Sequence, residues 1–366
     1  MLKKISAIFV SIVFLIPLCA CYDYTEIASM SFVAGMAIDK EEGEYLVTAE
    51  LLNMTGGEGD YKPVTVEAKG DTVIDAMLNM IATTAGKLDF KHCQILILGE
   101  ELARVGIKNT VNMMYKNIDF PTTMFVLAAH GEKGKDIINS KGKTMEVTSF
   151  EIEQAIKYEM EKLAKSLKIK LHTLYSGINT KDYCTVLPSV HLIKTDGEEI
   201  SRIDGLGIFK EDKLVGYLDG QETKAYLFLT DNIKGGIITI EQKKDGIGVR
   251  LQKNKTKIKP VFSHYKNTLE ISTDTVISFT DLGSEIKNDY SDINKLTQKE
   301  IQEKLTKLIK KTQTEFELDI FNFWIGIKKL HPKEWKNIQN WQEEYCKIIP
   351  VVKSKTTISG THISAK

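Results

Sequence analysis

The runs Gln94-Ile95-Leu96-Ile97-Leu98 and Thr123-Met124-Phe125-Val126-Leu127-Ala128-Ala129 are apolar after their first residue and lie either side of a helical pattern, Val105 to Tyr115. A short strand with no polar face belongs inside a sheet that is covered on both sides. Working outward, Phe32 to Asp39, Tyr45 to Leu52 and Val64 to Ala68 read as strands. Glu41-Glu42-Gly43 is a hairpin turn between the first two, and Thr55 to Asp60 a longer loop before the third. Asp71 to Ala82 is expected to be helical, with Val73, Ile74, Met77, Leu78 and Ile81 on one stripe, and Lys133 to Asn139 a short helix. Strands alternating with helices predict a parallel or mixed sheet clothed by helices.

The polar stretch Ser140-Lys141-Gly142-Lys143 marks a first boundary. Thr148 to Leu167 follows as an amphipathic helix with a Thr or Ser cap and acids in its first turn. Gly207 to Lys210 returns through Glu211-Asp212 into Lys213 to Leu218, a β-hairpin, and Asp219 to Leu229 is the helix that covers it. A second break falls near Asn232 to Gly236. Beyond it Gly236 to Glu241, Gly248 to Gln252, Leu269 to Phe279 and Val351 to Ile358 read as strands. The longest helix signal opens with Thr297 and Glu300 as a capping box and continues through Ile301, Leu305, Leu308, Ile309, Thr312 and Phe316. The expected fold class is α+β, mixed α/β, in three consecutive small domains, 21–142, 143–233 and 234–366, after a signal peptide at 1–20.

That signal peptide has three parts in order: Met1 to Lys4 is basic, Ile5 to Leu18 is an apolar run of 14 residues, and Leu18-Cys19-Ala20-Cys21 ends it. The run is too short for the roughly 20 residues of a spanning helix. The Leu-x-Ala-Cys ending is a bacterial lipobox, which makes Cys21 the expected lipidation site, with a diacylglyceryl group on its thiol and an acyl chain on its new amino group. At about 0.8 kcal/mol per buried methylene, one chain binds a membrane marginally and two bind it firmly. Lys plus Arg number 49 and Asp plus Glu 49, so the net charge is zero and a nucleic-acid partner is not expected. Arg occurs three times, at 104, 202 and 250, which argues against a site built on an arginine cluster.

No motif for catalysis, a metal or a cofactor emerges. Gly142-Lys143-Thr144 copies the end of a P-loop, but Ile137 stands where the first glycine belongs. Gly56-Gly57-Glu58-Gly59 leads into a strand and not a helix, so it reads as a hairpin loop. The seven histidines never reach H-E-x-x-H spacing, and no G-x-S-x-G occurs. Cys93, Cys184 and Cys346 are odd in number and widely spaced, and read as small buried residues. Lys253, Lys255, Lys257 and Lys259 alternate, so in a strand all four project from one face. The first reading of that row is protection of an exposed edge strand. The second is contact with anionic lipid headgroups or an acidic partner.

Cys21-Tyr22-Asp23-Tyr24-Thr25-Glu26-Ile27 with Val33-Ala34-Gly35-Met36-Ala37-Ile38-Asp39 resembles the Ger(x)C family, the lipoprotein C subunits of bacterial spore germinant receptors. Three further blocks are similar: His92 through Gly99-Glu100-Glu101-Leu102-Ala103; Gly205 to Phe209 through Lys213 to Gly216; and Asp319-Ile320-Phe321, His331-Pro332-Lys333-Glu334-Trp335, Trp341 and Gly360. The chain departs from the pattern at Tyr22, where Trp is usual, at Thr25, where Arg is common, and at Asn322 to Gly326, where a glycine-rich stretch is usual. The resemblance implies three mixed α/β domains, attachment to the outer surface of the inner spore membrane, work beside the receptor's A and B subunits, and no enzymatic activity or cofactor. The function expected is that of a lipid-anchored, non-enzymatic receptor subunit acting through protein contacts. The alternative is an extracytoplasmic solute-binding lipoprotein that holds a small nutrient itself; an envelope hydrolase is the third reading.

Overall fold

The structure is a computed structural model that describes residues 30–53, 62–84, 87–240, 247–263, 266–281 and 290–359. Cys21 and the Thr55 to Asp60 loop lie outside the described residues. Strands β1 (Met30–Glu41), β2 (Glu44–Asn53) and β3 (Lys62–Gly70) form an antiparallel meander, and helix α1 (Val73–Ile81) packs back across it. Then follow β4 (Lys87–Asp89), β5 (Ile95–Leu98), α2 (Glu100–Val105), α3 (Lys108–Lys116), β6 (Phe125–Ala129) and α4 (Gly134–Ile138). Helix α5 (Thr148–Tyr158) runs into a π-helical turn, Glu159–Leu163, and α6 (Leu171–Asn179) leads to β7 (Thr185–Thr195), β8 (Glu198–Lys210), β9 (Lys213–Leu218) and α7 (Gly220–Leu229). These strands make one sheet of nine in the order β3-β2-β1-β5-β6-β7-β8-β9, with β4 beside β1.

The two fully apolar runs occupy its centre. Leu96, Leu98, Val126 and Ala128 enter the core under α1, α2, α3 and α6, while Ile95, Ile97, Phe125 and Leu127 enter the core under α4 and α5. Each alternate residue therefore buries its side chain on one face or the other, which stabilises the sheet by roughly 1.5–3 kcal/mol per large aliphatic group. Ile38, Leu98, Ala128 and Ser189 form one row across β1, β5, β6 and β7, which all run parallel. The amino ends of β1 and β7 consequently share one end of the sheet, and the carboxyl ends the other. The expected boundary at 142/143 falls between β6 and β7, which pair in this sheet; a pairing of strands so far apart in the chain leaves no local signature.

Past Asn232 the chain enters a second sheet, β10 (Ile237–Ile240), β11 (Ile247–Val261), β12 (Thr268–Asp281) and β13 (Ile349–Ile358), in sequential order with β12 and β13 parallel. Between β12 and β13 come α8 (Tyr290–Lys311), a second π-helical turn, Thr312–Phe316, then α9 (Phe323–Leu330), α10 (Pro332–Trp335) and α11 (Trp341–Lys347). As the alternation of β12 predicts, Leu269, Ile271, Thr273, Thr275 and Ile277 are buried.

Four local expectations are corrected. On α1 the buried residues are Val73, Ala76, Met77 and Met80, while Ile74, Leu78 and Ile81 face out. Ala76 is fully buried on the inward stripe, while the bulky apolar Ile74, Leu78 and Ile81 lie on the outward one. The helix expected over Val105 to Tyr115 is two helices, because Gly106 at φ 138° breaks the chain between α2 and α3. Helix α5 has no Thr or Ser cap: Val147 stands there, and the Glu50 carboxylate on β2 accepts from the Thr148 and Ser149 N–H groups at 2.9 and 2.8 Å. Thr297 is not a cap but an interior residue of α8 that donates to the Ile293 carbonyl at 2.8 Å, since Ile293 carries the buried stripe further upstream.

Candidate functional site

In open sheets with parallel strands the usual ligand site is the crevice beyond the strand carboxyl ends. Here that edge carries Asp39 near the end of β1, one residue past its pairing with β5, Glu100 after β5, and His130 and Gly131 after β6, with His191 on β7 beside them. The amino end of α4 faces the same crevice, but Asp39 Oδ1 and Oδ2 accept from the Gly134 and Lys135 N–H groups at 2.7 and 2.9 Å. Burial pushes the Asp39 carboxyl above its usual range, and the two N–H donors only partly offset this. The Glu100 carboxylate is held by the Gly131 N–H and by Arg104. Those donors outweigh burial and draw its pKa down. The Tyr217 hydroxyl donates to the Ala129 carbonyl at 2.6 Å, and its ring stacks on His130 with centroids 3.7 Å apart. The crevice is thus filled by the chain's own carboxylates and rings. Glu41 at its rim pairs with Lys133 at 2.7 Å and Lys69 at 2.9 Å, which hold its pKa down to about 2.

Where the two sheets meet, the chain turns at Asn322, φ 57°, a left-handed conformation that favours Gly and then Asn. Its side-chain amide accepts from Cys184 N–H and donates to Cys184 C=O, both at 2.8 Å. This explains the departure from a glycine-rich stretch: Asn tolerates the backbone angle and adds a bridge to the large sheet. Beside it Asp319 is fully buried, accepting from Phe321 N–H and Trp324 N–H at 3.2 Å each and from Trp341 Nε1 at 2.8 Å. Burial outweighs these donors and lifts its pKa to about 7. Trp324, Trp335 and Trp341 follow one another beside it, the first pair stacked with centroids 6.0 Å apart and the second tilted at 5.7 Å. A groove of about 470 Å³ opens next to this junction, lined by Tyr183, Tyr226, Ile258, Phe321, Phe323 and Leu330 among others.

The lysine row lies on β11, whose outer edge has no partner strand among the described residues past Arg250. The edge is blocked by other residues. Asp231 accepts the outward N–H of Thr256 at 2.8 Å, and Pro260 has no N–H to offer. Lys253, Lys255, Lys257 and Lys259 project instead from the outer face of the sheet, and all four are exposed. Their partners across β12 are Val276, Asp274, Ser272 and Glu270, and the next strand adds Lys353 and Lys355 to the same face. Arg250, opposite Ser278, is exposed on it too, so six lysines, one arginine and two acids among the described residues share that face.

Cys93 and Cys184 are buried, as read from the sequence, and Cys346 is half-buried. Among the described residues no group of His, Cys, Asp and Glu is arranged to hold a metal ion, and no helix is long and apolar enough to cross a membrane. The sequence reading had no signal for Glu50 and Asp39 as helix caps, since both partners lie far along the chain.

Residues 23–192 match the profile described as spore germination protein N-terminal domain, and residues 204–362 that described as spore germination B3/GerAC like, C-terminal. Spore germination protein B3 of Bacillus subtilis (strain 168) is 25% identical over 361 residues, 93% of this chain and 94% of that protein. Spore germination protein GerQC of Bacillus cereus is 24% identical over 309 residues, 79% and 80% of the two chains. The crystal structure of the GerBC protein shares the fold, with a TM-score of 0.61 at 21% identity, covering 92% of this chain and all of that one. With two adjoining profiles matched in order and relatives that align nearly end to end, the chain belongs to the Ger(x)C family of spore germination proteins.

Proposed function

We propose that this chain is a lipid-anchored, non-enzymatic subunit of a nutrient germinant receptor, tethered through Cys21 on the outer surface of the inner spore membrane and working by contact with the membrane-embedded A and B subunits. The observation that carries the reading is the outward stripe of α1. Ile74, Leu78 and Ile81 are 48, 60 and 43% exposed at helical spacing, an apolar edge that a partner helix fits. The carboxylates of the crevice, already bound to N–H groups of the chain, support a role without catalysis.

The test is germination of spores that lack the gene, complemented with variants. Wild type is expected to restore the response to at least one class of nutrient, among amino acids, sugars and nucleosides. Leu78→Glu is expected to fold normally, because its side chain is exposed, yet to restore little and to lose co-purification with the other subunits. Cys21→Ala is expected to lose fatty-acid labelling. Normal germination of the null spores with every nutrient would sink the reading. The groove at Tyr183 and Tyr226 favours the second reading, in which the chain itself holds a nutrient. Saturable heat on titrating one such nutrient into the chain from Tyr22 onward would favour it.

A further inference from the structure

We propose that the outer face of the β10 to β13 sheet lies against an anionic phospholipid surface. The inference rests on the reading of the chain as membrane-held. Lys253, Lys255, Lys257 and Lys259 on β11 and Lys353 and Lys355 on β13 are all exposed on that face, against Glu270 and Asp274 on the strand between them. Six lysines and the exposed Arg250, which pairs with Ser278 on the same face, stand against two acids, so the described residues leave a charge of plus five on one side of a four-stranded sheet, in a chain whose total is zero. Among the described residues only Lys255 of the six has an ion-pair partner, Asp231 at 2.9 Å, and that carboxylate sits at the edge and not on the face.

The kind of charge favours lipid over protein. Lysine is a hydrated point charge without the planar fork that reads a carboxylate, and it supplies six of the seven cations on the face, Arg250 being the seventh. Alternate residues of a strand stand about 6.8 Å apart, so the β11 row extends about 20 Å across a regular sheet. A row of that length matches a continuous charged surface better than a few fixed side chains. Position agrees. Eight residues separate Cys21 from Met30, so an acyl group on Cys21 holds the start of β1 within about 30 Å of the bilayer. The second sheet joins the first through Asn322 and Cys184, just before β7, at the same end as the start of β1.

The experiment uses the chain from Tyr22 onward, which keeps every described residue and carries no lipid, so its result does not depend on acylation at Cys21. It is expected to sediment with vesicles of phosphatidylcholine mixed with phosphatidylglycerol, to ignore vesicles of phosphatidylcholine alone, and to be released by high salt. K253Q/K257Q/K353Q is expected to lower the partition coefficient roughly 100-fold, at about fivefold per lysine, with an unchanged melting curve. K295Q/K299Q/K307Q on α8, the helix over the opposite face, makes the same change in net charge and is expected to leave binding largely intact. Equal loss in the two triple variants, or equal binding to both vesicles, would overturn the proposal. So would a chain that ignores all vesicles but is held on polyglutamate through the same three lysines, which would assign the face to an acidic protein. Fatty-acid labelling of Cys21 tests the anchor separately.

Discussion

Asn322 and Cys184 exchange two hydrogen bonds of 2.8 Å, side-chain amide to backbone amide, and so lock the turn before α9 to the strand that starts β7 in the other sheet. Asn322→Ala leaves the Cys184 N–H and C=O without partners and forces a Cβ residue into a left-handed angle. The expected loss is about 2–4 kcal/mol, at about 1–3 for the orphaned groups and about 1 for the angle. Asn322→Gly removes only the first part and is expected to fall between. Urea unfolding midpoints of the three proteins measure this. A loss under about 0.5 kcal/mol for the alanine variant, the range of an ordinary surface change, would contradict it.

Asp319 makes stability depend on pH in the opposite sense to a salt-bridged carboxylate. Its pKa is about 7 in the folded chain against 3.8 as a free side chain, so between those values the folded state binds more protons than the unfolded one. Stability attributable to this group is therefore full below about pH 4, falls as pH rises toward 7, and is level above; at about 1.4 kcal/mol per tenfold change in proton affinity the ceiling is about 4 kcal/mol. Asp319→Asn does not titrate, and it turns an NH2 toward a cluster of N–H donors, so it is less stable throughout. The gap between wild type and variant is expected to narrow from pH 5 to pH 8. A gap that stays constant in denaturant titrations at the two pH values would refute the assignment.

Gly99 and Asp39 are coupled. A Cβ at Gly99 would overlap Asp39 Oδ1, the atom that accepts the Gly134 N–H at the start of α4. Gly99→Ala is expected to cost about 1–3 kcal/mol by overpacking, and Asp39→Ala a similar amount by leaving two N–H groups unpaired. Once the carboxylate is gone the methyl has room, so the double variant is expected to lose clearly less than the sum of the two. Additivity in a double-mutant cycle within about 0.5 kcal/mol would show that the two do not touch.

The three thiols of the chain from Tyr22 onward are expected to separate by reactivity. Burial pushes Cys93 up to about 12 and raises Cys184 as well, which leaves neither with useful thiolate at neutral pH. Cys346, half-buried, is raised by burial too but can be reached. A disulfide thiol reagent is expected to label Cys346 first and the other two only on unfolding. Prompt labelling of three thiols in the native protein would mean that the core around Cys93 and Cys184 is open.

The central strands of the large sheet are legible in the sequence, because two-faced burial makes Ile95 to Leu98 and Phe125 to Ala129 apolar at each position. The others are less so: β4 has three residues, Pro188 interrupts β7, and β8 opens on the largely polar Glu198 to Arg202, so only Gly207 to Lys210 of these three reads as strand. The face of α1 is not legible in the sequence, because Ile74 and Leu78 are as hydrophobic as Val73 and Met77; the structure buries Val73, Ala76, Met77 and Met80. Helix α6 went unread, since Leu171 to Asn179 is short and flanked by no cap residue that bonds its first turn. The lysine row was legible as a row, but whether it guards an edge or covers a face depends on Asp231 and Pro260, which hold the edge.

By itself the sequence determined most of the strands and helices, the expected anchor at Cys21 and the family, because each rests on residues close together in the chain: apolar period, a lipobox, short blocks in order. Only the tertiary structure decided that β6 and β7 share one sheet across 142/143, that Glu50 and Asp39 cap helices far along the chain, and that Asp319 is buried against Trp341, where burial raises its pKa. Those outcomes depend on which groups meet after long loops close. Nothing in the local pattern encodes that meeting, since a carboxylate on a strand looks the same before its partner N–H arrives.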